Sequence, residues 1–116
     1  MAASSEDTPR IVLTTVDDPE QAKRLARELV ERRLAACVSL IEGIGSTYRW
    51  RGAVTEQREI LLLVKTTASR LSPLQEWLRQ SHPYEVPEIM ALEATSGSAP
   101  YLRWLIEETE PSEERP

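Results

Sequence analysis

No phenylalanine occurs among the 116 residues, and there is only one cysteine, one histidine and four glycines. Without phenylalanine, the interior must be filled by leucine, isoleucine, valine and the three tryptophans. The single Cys37 cannot close an intrachain disulfide and fits a reducing compartment. The opening MAASSEDTPR lacks the apolar stretch of a secretory leader, and no run approaches the roughly 20 apolar residues of a membrane span, so the cytoplasm is expected. The glycines, Gly43, Gly45, Gly52 and Gly97, form no P-loop or phosphate cradle.

Charge of one sign is also scarce once it is located. The formal net charge is −5, yet 13 of the 14 basic and only 12 of the 19 acidic residues fall within 8–106, which leaves that stretch at +1. The acidity belongs to the ends, so no surface is expected to draw nucleic acid or anionic lipid.

What is present reads as alternating strands and helices. Ile11, Val12 and Leu13 centre a first strand over 10–15, covered on both sides. Asp18 is placed to cap a helix with Pro19 in its first turn and Gln21 completing a capping box. Ala22, Leu25, Ala26, Leu29 and Val30 repeat at helical spacing, and Arg32 and Arg33 close the helix. A second strand over 36–41 meets Gly43 and Gly45, which signal a bulge or bend, and strand character resumes over 46–50. Arg51-Gly52 reads as a hairpin tip, and 54–66 as a long returning strand. Ser69 or Ser72 opens a second helix, with Leu71, Leu74, Trp77 and Leu78 facing inward, and His82-Pro83 ends it. An extended connection over 84–87 leads to a last strand over 88–95. After Gly97, Ser98 caps a terminal helix that carries Tyr101, Leu102, Trp104, Leu105 and Ile106.

Two crossovers around a central hairpin predict an α+β, ferredoxin-like βαββαβ sandwich with both crossover helices on one face of a four-stranded antiparallel sheet. The domain is expected over 9–108, between a disordered tail at 1–8 and an acidic tail at 109–116. The hairpin arm is too long for one small domain to cover, so its outer half, with Tyr48 and Trp50, should meet another surface.

Ordered motifs carry a resemblance. They are IVLTTVDD (11–18), LAACVSLI (34–41), the hairpin pattern of Ser46, Tyr48, Trp50 and Gly52, EILLLVKT (59–66), HPYEVPEI (82–89) and YLRWL (101–105). Together they resemble the CutA divalent-cation-tolerance family over nearly the whole chain. The resemblance implies a tight homotrimer, similar in architecture to the PII signalling proteins, in which long hairpins pair edge to edge with neighbouring subunits. It also implies a link to tolerance of copper and other divalent cations.

Several residues then have two readings. His82 is the only histidine, so it is a candidate Cu²⁺ or other divalent-metal ligand; its structural reading is to end a helix and bond nearby backbone. Glu59 matches the family's glutamate and is either a pocket ligand for the metal or half of an ion pair with Lys65 or a neighbour's arginine. Lys65 could hold an anion in an intersubunit cleft or be a solvated strand end. Tyr48 and Trp50 read as interface aromatics or a stacking pair. Tyr84 stiffens the connection after the second helix or belongs to an intersubunit cleft or interface, Trp77 and Trp104 pack in core or interface, and Cys37 reads as a small buried hydrophobe. Some members of the family carry a cysteine where this chain has Thr14.

Function follows as a non-catalytic, trimeric divalent-cation-tolerance protein. The alternative is a PII-like sensor that binds a small anion or nucleotide between subunits. A copper metallochaperone would need a Cys-x-x-Cys where Thr14-Thr15-Val16-Asp17-Asp18 stands. An RNA-binding sheet would need aromatics on its central strands, which are aliphatic. An acylphosphatase loop would need arginine where Asp17-Asp18 repels phosphate. No nucleophile–base pair recommends an enzyme.

Overall fold

The computed structural model describes residues 7–111. Its elements run β1 (Pro9–Val16), α1 (Pro19–Glu31), β2 (Cys37–Trp50), β3 (Ala53–Thr67), α2 (Leu71–Ser81), β4 (Met90–Glu93) and α3 (Ala99–Thr109), with a short 3₁₀ turn (Ala68–Arg70) before α2. The four strands form one antiparallel sheet in the order β2-β3-β1-β4. This is the expected α+β arrangement, with α3 added to the βαββαβ order.

Strand alternation divides the sheet into two faces. Val12, Val16, Leu62 and Val64 point to the helical side and meet Leu25 and Leu29 of α1 and Leu74 and Leu78 of α2. This core is wholly aliphatic. The tryptophans do not fill it as expected: Trp77 packs at its margin, while Trp50 and Trp104 are 42% and 40% exposed. Leucine, isoleucine and valine already occupy the narrow space between sheet and helices, and the large rings are left at the edges.

On the opposite face, α3 packs against β3 and β1, and Thr109 approaches Thr67 through their hydroxyls at 3.4 Å. The rest of that face is open, and Ile41, Met90 and Leu92 are exposed there.

Several local expectations are corrected. Asp18 occupies the N-cap of α1 in an extended conformation, but its side chain caps nothing. Gln21 accepts from Arg24 instead of closing a capping box. Arg24 also donates to the Ser81 carbonyl at 2.8 Å and so ties α1 to the end of α2. Neither Ser69 nor Ser72 caps α2; the N-cap is Arg70, and Ser69 bonds Asp7 through both its amide and its hydroxyl. Arg33 lies beyond α1 with a left-handed backbone (φ 59°), and its guanidinium donates to the Glu107 and Glu110 carbonyls. It therefore caps α3, where cations suit carbonyl ends. The last strand covers only 90–93 of the expected 88–95, and the connection before it bends through 83–86 rather than running extended.

Asp7 and Thr8 bond residues 68 and 69, and Thr109 is buried within α3. Residues 1–6 and 112–116 of the expected tails lie outside the described residues.

The hairpin of β2 and β3 dominates the shape. Strands of 14 and 15 residues at about 3.3 Å per residue match the 50 Å long dimension. The ladder shifts register between Ile41 and Ile44, where Gly43 adopts φ 72°, so the bend expected at the glycines lies within one continuous strand. Both turn residues, Arg51 (φ 51°) and Gly52 (φ 83°), are left-handed, as a tight two-residue hairpin turn requires.

Candidate functional site

The bent arm and the connection after α2 enclose a cleft of about 760 Å³. One wall comes from the arm, through Tyr48, Trp50 and Gln57; the other is the 84–88 segment. Thr15 and Glu59 line it where the arm joins the body of the sheet. Three glutamates, Glu59, Glu85 and Glu88, belong to the lining, and no lysine or arginine does.

His82 fixes the second wall. It follows α2 with an extended backbone that turns the chain away from the helix axis, while its amide still donates to the Leu78 carbonyl. Its Nδ1 accepts from the Tyr84 amide at 3.1 Å, so the ring proton is on Nε2, which donates to the Thr15 carbonyl at 3.0 Å. The ring is 7% exposed. Burial is the main cause holding its pKa below the ordinary value; the Thr15 bond and the Glu59 charge oppose that shift.

Tyr84 extends the chain of contacts into the cleft. Its ring lies against His82 with centroids 4.9 Å apart, and its hydroxyl donates to Glu59 Oε2 at 2.7 Å. Burial first, then the Glu59 carboxylate, push the phenol far up, so it remains a donor. Glu59 is 7% exposed, and no hydrogen bond from the described residues reaches its Oε1. On the arm, Tyr48 donates to Gln57 Oε1 at 2.5 Å and Gln57 Nε2 donates to Asp17 at 3.0 Å. Arg51 lies over the Trp50 ring at 5.3 Å and bridges to Glu85 at 3.4 Å, joining the arm's tip to the opposite wall.

The structure thus brings Glu59, Tyr84, Tyr48 and Trp50 into one cleft, with His82 behind it. Lys65 and Trp104 lie elsewhere. Lys65 Nζ donates to Ser39 Oγ at 2.7 Å and lies 3.8 Å from Cys37 Sγ, so the suggested Lys65–Glu59 pair is not made and Tyr84 takes that place. Trp104 stacks obliquely on Tyr101 of α3 at 5.5 Å. Sequence reasoning missed Thr15, Gln57, Asp17, Glu85 and Glu88. The signal for Gln57 was the two-residue period of β3, which places Thr55, Gln57 and Glu59 on one face.

Among the described residues of one chain, the donor set does not make a resident metal centre. Both His82 nitrogens are committed, and no group of three or more His, Cys, Asp or Glu among the described residues is arranged around a common point. Nor is any helix among them long and apolar enough to cross a membrane.

Sheet order, helix placement and cleft define a small α+β domain of ferredoxin-like topology that carries an acidic, aromatic-walled cleft. The sequence pattern of the CutA1 divalent ion tolerance protein family matches residues 10–108. "Divalent-cation tolerance protein CutA" of Thermus thermophilus is 50% identical over 99 residues, covering 85% of this chain and 96% of the relative. "Protein CutA, chloroplastic" of Arabidopsis thaliana is 46% identical over 106 residues, 90% of this chain but only 58% of that longer protein. Among solved structures, the Thermus thermophilus protein superposes with a TM-score of 0.85 at 49% identity, covering 88% of this chain and 99% of that one. CutA from Xylella fastidiosa gives 0.86 at 37% identity, with 89% and 99% coverage. The chain belongs to the CutA1 divalent ion tolerance family. The names of the family and of these relatives carry no enzymatic activity.

Proposed function

We propose that the chain works as a non-catalytic, homotrimeric divalent-cation-tolerance protein, with copper foremost among the cations. The observation that carries this reading is the pair of unpartnered surfaces on the sheet. The outer half of β2 is a long open edge, and the face bearing Ile41, Met90 and Leu92 leaves apolar side chains in water. Edge pairing through the arms and burial of that face between copies remove both exposures.

Cation binding in this reading draws on more than one copy. Glu59 offers one free oxygen, and His82 can coordinate only by giving up the Thr15 or Tyr84 bond. Assembly supplies the remaining donors, so affinity is modest. The sensor of anions or nucleotides is disfavoured by the three glutamates of the cleft, which repel phosphate.

Light scattering tests the trimer; a monomer at micromolar concentration refutes it. Calorimetry with Cu²⁺ on wild type, His82→Ala and Glu59→Gln tests the ligands. Binding unchanged in both variants removes these residues from the site.

A further inference from the structure

We propose that the cleft between the hairpin arm and residues 84–88 binds a primary ammonium group carried on a flat, apolar body. The inference goes beyond cation tolerance and needs no metal.

The sign of the site comes first. Its lining holds three glutamates and no basic residue, and the nearby Arg51 is already bridged to Glu85. A cleft of about 760 Å³ is within the range of small-molecule sites. Its charge calls for a cation.

The shape of that cation follows from Glu59. A carboxylate accepts hydrogen bonds at two oxygens and donates none. Tyr84 fills Oε2, while Oε1 has no donor from the described residues and keeps contact with solvent in the cleft, where a ligand can reach it. Such an acceptor calls for an N–H donor, preferably a charged one. A metal ion would need further ligands, which the cleft does not converge on one point. An ammonium needs only this oxygen and hydroxyls for its other protons, and Thr15 and Ser46 line the same cleft.

The walls select the body of the ligand. Trp50 and Tyr48 present rings from the arm, and Val86 and Pro87 present apolar surface opposite. The Trp50 ring already attracts a cation, since Arg51 lies over it at 5.3 Å. A flat apolar group next to the ammonium would lie between these walls, with its charge at Glu59.

The probe is phenethylammonium, titrated into full-length, isotope-labelled protein in buffer containing EDTA and followed by amide NMR shifts. The chelator separates this test from copper binding, so either reading can fail alone. The expected result is saturable binding, with shifts confined to 14–17, 46–59 and 82–88. 3-Phenylpropionate, the anion of similar shape, should not bind, and uncharged 2-phenylethanol should bind more weakly. Glu59→Gln keeps the shape but removes the charge, and should weaken phenethylammonium at least about tenfold. Should that variant fold poorly, Trp50→Leu, at an exposed position, should weaken binding about threefold. Absence of binding by wild type, equal binding of the anion, unchanged affinity in the folded variant, or shifts elsewhere overturns the proposal.

Discussion

Replacing Thr14 by valine should make the protein more stable, although it deletes a polar group. Thr14 is fully buried on the helical face of β1, opposite Leu62, and its hydroxyl has no partner among the described residues. Valine has nearly the same shape and favours strands as strongly. A buried hydroxyl without a hydrogen bond costs about 1–3 kcal/mol. Allowing for imperfect packing of the new methyl, the gain should be about 1 kcal/mol, or roughly 3–5 °C in Tm for a domain of this length. Thr66 is the internal control. It is equally buried on the same face, but its Oγ1 donates to the Leu34 carbonyl at 2.7 Å. Thr66→Val should therefore cost about 1–2 kcal/mol. Urea unfolding of both variants, at one fixed protein concentration because assembly shifts apparent stability, gives the comparison. The same substitution should act with opposite signs at two sites on one sheet. If Thr14→Val destabilises as much as Thr66→Val, the hydroxyl of Thr14 is satisfied and the reasoning fails.

Three further outcomes are expected. Because the His82 pKa is lowered in the folded chain, the unfolded chain takes up its proton first; stability is complete above about pH 6.5 and falls as pH drops towards the folded value, by at most about 1.4 kcal/mol per pH unit. His82→Gln should flatten that limb of an unfolding series run between pH 7.5 and 5.5, and an unchanged slope assigns it to other groups. Tyr84→Phe removes the donor to a buried carboxylate and should cost about 1.5–3 kcal/mol in urea; a loss below about 0.5 kcal/mol would mean water replaces it fully. Leu92→Asp places a charge on the open sheet face and should shift the proposed trimer to monomer in light scattering, whereas a variant that still scatters as a trimer would exclude that face from the contact.

The order of elements was legible because hydrophobic periodicity reports which face of each segment is covered. Ala22, Leu25 and Leu29 of the α1 stripe lie in the core as that reasoning puts them, whereas Val30 of the same stripe is exposed; of the run 60–64 only Ile60, Leu62 and Val64 are buried, and Leu61 and Leu63 on the other face are half-buried. Side-chain capping was less legible, since it depends on competition among neighbours. Gln21 is taken by Arg24, Ser69 by Asp7, and Arg33 reaches carbonyls more than 70 residues away. The cleft was half legible. Glu59, Tyr48, Trp50 and Tyr84 attract notice by residue type, but their meeting depends on the bend at Gly43 and on His82 turning the chain after α2. No local pattern records contacts between segments 25 to 67 residues apart.

The bridge between Arg51 and Glu85 is the one ionic link across the mouth of the cleft among the described residues, and both side chains are largely solvated. Exposed pairs of this kind hold weakly and are screened as ionic strength rises. Rising ionic strength should therefore loosen the tip of the arm first, while the bonds from Tyr84 to Glu59 and from Gln57 to Asp17 still hold its base to the body, away from the aliphatic interior.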